Sequence, residues 1–295
     1  MNYYLEIDKK YFPTIGNFFS PIVLSSLERS GYSSYFSEVC KTSGLIRNID
    51  TSISLSDFFD IIFNFLLKNY RNEYIYKNII ANKILLGKHS LKTSQLLTEF
   101  RIGKNKADII ILNGTATVYE IKSEYDTFFR LNKQINSYIK TFEYVNVITS
   151  PSQIRKAIQA LPESIGILSF TDRNTISTFR KPKSNLNNIN LSLLFDSLRK
   201  DEYIEIVKKY YGSAPDVPNT KIFNVCKKKY SEMPLKEAVK LTNHILKKRN
   251  YSDFTMQNIK KVPFSLKAYI LSLGNNKIRI ENTLKVLNKK LIEII

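Results

Sequence analysis

The chain has 295 residues and is 43% hydrophobic, enough for one large domain or two modest ones with a proper core. Its 45 basic and 26 acidic residues leave a formal charge of +19, which makes nucleic acid the first partner to consider, although a Lys-, Asn- and Ile-rich chain of the kind AT-rich genomes encode would carry much of that charge without a ligand. Only Cys40 and Cys226 are present, far apart and with no Cys-x-x-Cys pair, no segment approaches the roughly 18 apolar residues of a membrane span, and the first ten residues lack a signal-type apolar run, so a disulfide framework, a structural zinc site and a membrane partner are excluded and a cytoplasmic, reduced protein is expected.

Residues 1–56 read as an N-terminal helical extension, interrupted by Pro13, Gly16 and Pro21. An apolar helix is expected over Asp57–Lys68, capped by Ser56 or Asp57, and a second over Glu73–Leu86, closed by Gly87. The period then changes to two. Thr93–Ile102, Ala107–Leu112 and Thr115–Lys122 read as three successive strands joined by Gly-Lys-Asn-Lys and Asn-Gly turns. Asp126–Phe142 is an amphipathic helix, with Phe128, Leu131, Ile135, Ile139 and Phe142 along one side. A strand over Val145–Thr149, a helix from Pro151 to Ala160, and strands over Ile165–Phe170 and Thr175–Arg180 complete an α/β core, a mixed sheet flanked by helices over residues 57–180. Residues 181–189 form a polar linker. Residues 190–295 read as a basic, all-helical domain with one short strand at Lys277–Ile280, and from Leu186 onward 21 Lys/Arg face 10 Asp/Glu, a net +11.

The chemistry gathers on the middle strands. Asp108 opens the run Ile-Ile-Ile-Leu, an expensive place for a mere surface charge, and the next strand ends in Glu120-Ile121-Lys122. Glu120 and Lys122 share a face, since strand residues alternate sides. Two carboxylates can hold a hard divalent cation, and a lysine beside them can position a water or steady a phosphate. An exposed salt-bridge cluster is the plainer reading. Register decides whether the acids meet: a two-residue Asn113-Gly114 loop would set Asp108 opposite Tyr119, facing away from Glu120, so the site demands an odd loop, three residues with a glycine-assisted bulge, or an irregularity near Asp108.

These residues resemble the PD-(D/E)XK nuclease superfamily. Ala107-Asp108 stands for its Pro-Asp pair, without the proline, and Glu120-Ile-Lys122 for its Glu-x-Lys element. Gln134-Ile-Asn-Ser-Tyr138 is similar to the Gln-x-x-x-Tyr motif of the RecB-like exonuclease branch. The resemblance implies a restriction-endonuclease-like sheet and a Mg2+ (or Mn2+) site held by Asp108, Glu120 and the Ile121 carbonyl. Lys122 would activate water, and Gln134 and Tyr138 would assist. Glu73 or Glu99 would complete the acidic set, while a helix-start carboxylate, for Glu73, and a pair with Arg101, for Glu99, are the competing readings. The expected function is hydrolysis of DNA phosphodiesters, in defence, repair or mobile-element biology. RNA as substrate and a catalytically silent binding module of the same fold are the rivals, and a homodimer or a protein partner is left open. The runs Lys227-Lys-Lys229 and Lys247-Lys-Arg249 are read as phosphate contacts or solvated helix faces.

Overall fold

In the computed structural model, which describes residues 5–249 and 251–295, the period-two stretches pair into one six-stranded sheet. Residues 1–4 and 250, in the first and last expected segments, lie outside the described residues. The strands are β1 (Gln95–Ile102), β2 (Asn105–Asn113), β3 (Thr115–Lys122), β4 (Tyr144–Thr149), β5 (Gly166–Phe170) and β6 (Ile176–Arg180), and their order in the sheet is their order in the chain. β1, β2 and β3 form an antiparallel meander, β3, β4 and β5 run parallel, and β6 returns antiparallel on β5. Parallel neighbours need crossover connections. Here they carry the helices Leu131–Ile139 and Ile154–Ala160. The fold is α/β, with a mixed sheet flanked by helices.

The β2–β3 register is the one the site requires. Asn113 pairs with Thr115, Leu112 with Ala116 and Ile109 with Tyr119, leaving Gly114 alone at the tip with φ of 74°. Continued by one step, this register sets Asp108 across from Glu120. The β1–β2 ladder pairs Thr98 with Ile109 and Phe100 with Ala107, which sets Glu99 across from Asp108. The β1–β2 ladder skips the Glu99–Asp108 pair, and the β2–β3 ladder stops one step short of Asp108 and Glu120. Glu99 has φ of 53°, and on either side of the skipped pair Leu97 and Ile110, then Phe100 and Ala107, all enter one core. The two strands therefore change the side they present to that core together, at Glu99 and Asp108.

The described residues divide into two units, Met1–Lys88 with Tyr251–Ile295, and His89–Asn250. These bounds differ from those expected at 56/57 and 181–189. In the second unit the helices Lys200–Tyr211, Asn219–Ser231 and Leu235–Lys247 share a continuous core with the sheet, through Ile206, Val207, Cys226, Tyr230, Ile245 and Leu246. The basic C-terminal third is thus not one separate body. In the first unit, Phe18, Phe36 and Phe58 cluster with ring centroids 4.6–6.2 Å apart. Glu28, buried, accepts from Arg279 at 2.8 Å and from the Tyr269 hydroxyl at 2.8 Å.

Several element ends move for local reasons. The helix Leu55–Asn69 is capped by Ser54, whose Oγ accepts from the Asp57 N–H at 3.0 Å, rather than by Ser56 or Asp57. The helix Glu73–Ile80 continues through a π-helical turn, Ala81–Leu86. The helix expected from Asp126 starts only at Leu131, because the Asp126 carboxylate accepts from the Ser123 N–H and hydroxyl and holds a turn instead. Lys277–Ile280 is helical, not a strand: Asn276 caps the helix Lys277–Leu287 by accepting from the Arg279 N–H. No helix among the described residues is long and apolar enough to cross a membrane.

Candidate active site

β3 delivers Glu120 and Lys122 after the apolar pair Ala116 and Val118, on a strand where every second residue faces the core. Glu120 is 1% exposed, and a carboxylate at that depth needs partners. Among them, the Tyr138 hydroxyl lies 2.9 Å from Oε2, and Lys122 Nζ lies 3.3 Å from Oε1. These two contacts use two of the four lone-pair directions of a carboxylate.

Lys122 is itself held by a second acceptor, Gln134 Oε1 at 3.2 Å. An ammonium has three N–H donors, so one direction remains beyond these two partners. Gln134 and Tyr138 stand one turn apart on the helix Leu131–Ile139, which explains how both reach β3. The Lys106 carbonyl lies 2.6 Å from the same hydroxyl, so the single phenol proton is shared between this carbonyl and Glu120 and links the helix to β2 as well as β3. Burial, then the charge of Glu120 and its hydrogen bond, then the charge of Asp108, push the Tyr138 phenol well above its ordinary value, so it stays a donor.

Asp108 Oδ2 accepts the Ile121 backbone N–H at 2.8 Å. A carboxylate oxygen of Asp108 and one of Glu99 lie within 4.8 Å of each other. Glu99 also makes a 3.5 Å ion pair with Lys106. Among the described non-glycine residues only Glu99 and Asn174 have positive φ, and Asn tolerates that region where Glu does not. Strained backbone of this kind concentrates at functional positions. Glu73 belongs to the first unit, where it opens its helix and pairs with Lys77 at 2.6 Å. The structure thus brings Glu99, Asp108, Glu120, Lys122, Gln134 and Tyr138 together in one unit.

The donor set fits a hard divalent cation. Carboxylate oxygens are the ligands that magnesium and manganese prefer, at metal–oxygen distances of about 2.0–2.2 Å for magnesium. Two oxygens on one such ion stand at most about 4.0–4.4 Å apart, and the Glu99 and Asp108 oxygens, within 4.8 Å of each other, are near that span.

Sequence reasoning missed two supports. Buried Thr149 on β4 donates to the Lys122 carbonyl at 2.6 Å and fixes the end of β3. Only the β3–β4 register, Lys122 beside Thr149, reveals it. The Lys106 carbonyl is the other. Three side chains of the basic runs have acidic partners, while Lys228 and Lys248 are exposed: Lys227 pairs with Asp196 at 2.6 Å, Lys248 with Glu205, and Arg249 with Glu202 at 2.6 and 2.8 Å.

Residues 67–287 match the family described as Bacteriophage P4 protein cII, a span that takes in every residue of the site. Protein cII of Enterobacteria phage P4 is 23% identical over 130 residues, which cover 43% of this chain and 49% of that protein. The chain therefore spans about half the length of that curated relative. No solved structure matches.

Proposed function

We propose that this chain, which belongs to the Bacteriophage P4 protein cII family, is a metal-dependent nuclease that hydrolyses DNA phosphodiesters on a restriction-endonuclease-like sheet. The observation that carries the reading is the hydrogen-bonded set of Glu120, Lys122, Gln134 and Tyr138 at the end of β3, with Asp108 across the hairpin. A surface ion-pair cluster has no need of a carboxylate 1% exposed, nor of a lysine steadied by a second acceptor.

Asp108, Glu120 and Glu99 would hold Mg2+ or Mn2+, with the Ile121 carbonyl as a further oxygen. A bound divalent cation lowers the pKa of water and offsets charge on the scissile phosphate. Lys122, its ammonium fixed by Glu120 and Gln134, directs its remaining N–H toward the attacking water. Tyr138 holds Glu120 in place, and the Ile121 N–H does the same for Asp108. The net charge of +19 supports a polyanionic substrate.

The test is cleavage of linear, circular and single-stranded DNA, and of RNA, by purified protein in Mg2+ and in EDTA. Metal-dependent DNA cleavage supports the reading. Cleavage of RNA alone reassigns the substrate, and no cleavage of any substrate, with tight binding retained, favours a silent binding module.

A further inference from the structure

The loop from β3 to the helix Leu131–Ile139 carries Phe129, the most exposed large hydrophobic side chain among the described residues, at 91%. Tyr125 on the same loop is 52% exposed. A ring left in water forgoes the stabilisation of burial, and a polar residue would serve a mere connection better. The loop backbone is well anchored. Asp126 Oδ2 accepts from the Ser123 N–H at 2.8 Å and the Ser123 hydroxyl at 2.7 Å, and Gln153 Nε2 donates to the Glu124 carbonyl at 3.4 Å. Phe128 packs against the core while its neighbour Phe129 points outward. Both ends of the loop are site residues: Lys122 immediately precedes it and Gln134 lies in the first turns of the helix that follows. Arg130 and Lys133, both exposed, add positive charge beside the ring. Of the loop's two acids, Asp126 is tied to Ser123, and Glu124 is exposed.

We propose that Phe129 is a stacking platform for an unpaired base of the substrate strand, next to the phosphate that the site receives. An aromatic face beside basic side chains is the combination that holds single-stranded nucleic acid, because every base has a π-face and every linkage a negative charge. In a duplex the base faces are covered by their neighbours; in a single strand or an overhang they are free. The substrate class is therefore DNA with unpaired bases. This inference rests on the nuclease reading for its substrate.

The chain has no tryptophan, so Phe129→Trp places a single indole at the platform, excited selectively above the absorption of the 18 tyrosines. In EDTA, where the strand stays intact, single-stranded oligothymidine is expected to quench its emission, and a blunt duplex of equal length to leave it nearly unchanged. Phe179→Trp, on β6 at a position 59% exposed, is the control and should not respond. Phe129→Ala is expected to weaken single-strand binding about 5- to 100-fold, read by anisotropy of the labelled strand, and duplex binding by less than about two-fold. Bound oligonucleotide with unmoved emission from the Phe129→Trp protein, equal loss on both substrates, or no single-strand binding by the wild type overturns the proposal. A protein that cleaves in Mg2+ but shows no quenching in EDTA keeps the nuclease reading and loses the platform. One that quenches but never cleaves keeps the platform and loses the nuclease.

Discussion

The Asp108 carboxylate accepts the Ile121 backbone N–H at 2.8 Å, so a side chain on β2 takes a place that a main-chain carbonyl fills elsewhere in a ladder. The acid is at once a piece of the sheet and a candidate ligand, and two substitutions separate these roles. Asp108→Ala leaves the Ile121 N–H without its acceptor and should cost about 1–3 kcal/mol in urea unfolding. Asp108→Asn keeps an acceptor oxygen and should lose little stability. Both should abolish metal-dependent cleavage, since neither retains the charge.

Lys122 and Glu120 form an ion pair whose members are 12% and 1% exposed. Removing one partner strands the other. Lys122→Met should end cleavage and destabilise the fold by about 3 kcal/mol, because the Glu120 charge then stays buried with one partner fewer. Adding Glu120→Gln to that variant should recover much of the stability and none of the activity. A thermal or urea denaturation cycle over the four proteins measures the coupling.

Tyr138 acts through Glu120. Its raised pKa means that the hydroxyl donates throughout the neutral range, and its contribution to stability fades only as pH rises above its ordinary value of 10. Tyr138→Phe keeps the ring in the core but removes the one proton that Glu120 and the Lys106 carbonyl share. Loss of such a supporting hydrogen bond is expected to lower kcat about 10- to 100-fold while the protein still folds.

The Arg249–Glu202 pair gives a pH signature remote from the site. Burial opposes the Glu202 charge, but the hydrogen bond from Arg249, that from the Arg199 backbone and the Arg249 charge outweigh it and hold the carboxyl below its ordinary 4.5. Its contribution is therefore full above about pH 4.5 and is lost as pH falls from there through the lower folded-state value. Glu202→Gln should flatten that part of the stability profile, measured as melting temperature against pH. Arg249, which also lies over the Phe100 ring at 5.3 Å, should be destabilising when changed to Ala, with little effect on the salt dependence of DNA binding.

The strands were legible because alternation is a local signal, and β3 runs over Thr115–Lys122 as the pattern indicates. The odd hairpin register followed from asking two acids to share a face, and Gly114 alone at the tip supplies it. Less local features were not legible. Asp126 has the chemistry of a helix start but spends it on Ser123. Lys227, Lys248 and Arg249 look free in the sequence, yet their partners are 31 to 47 residues away. Thr149 is an unremarkable residue in an apolar strand until β4 is laid beside β3. The unit bounds were missed for the same reason: a polar stretch at 181–189 resembles a linker, but the helices after it return to the sheet's core.

The most direct test compares wild type with Glu120→Gln, each shown to be folded by circular dichroism, on labelled DNA in Mg2+ and in EDTA. The substitution changes one charge and little volume. The account predicts cleavage by the wild type in Mg2+ only, and a loss of at least about 1,000-fold in Glu120→Gln, since residues that act as a unit fail together. Undiminished cleavage by the folded variant, or none by the wild type, would contradict it.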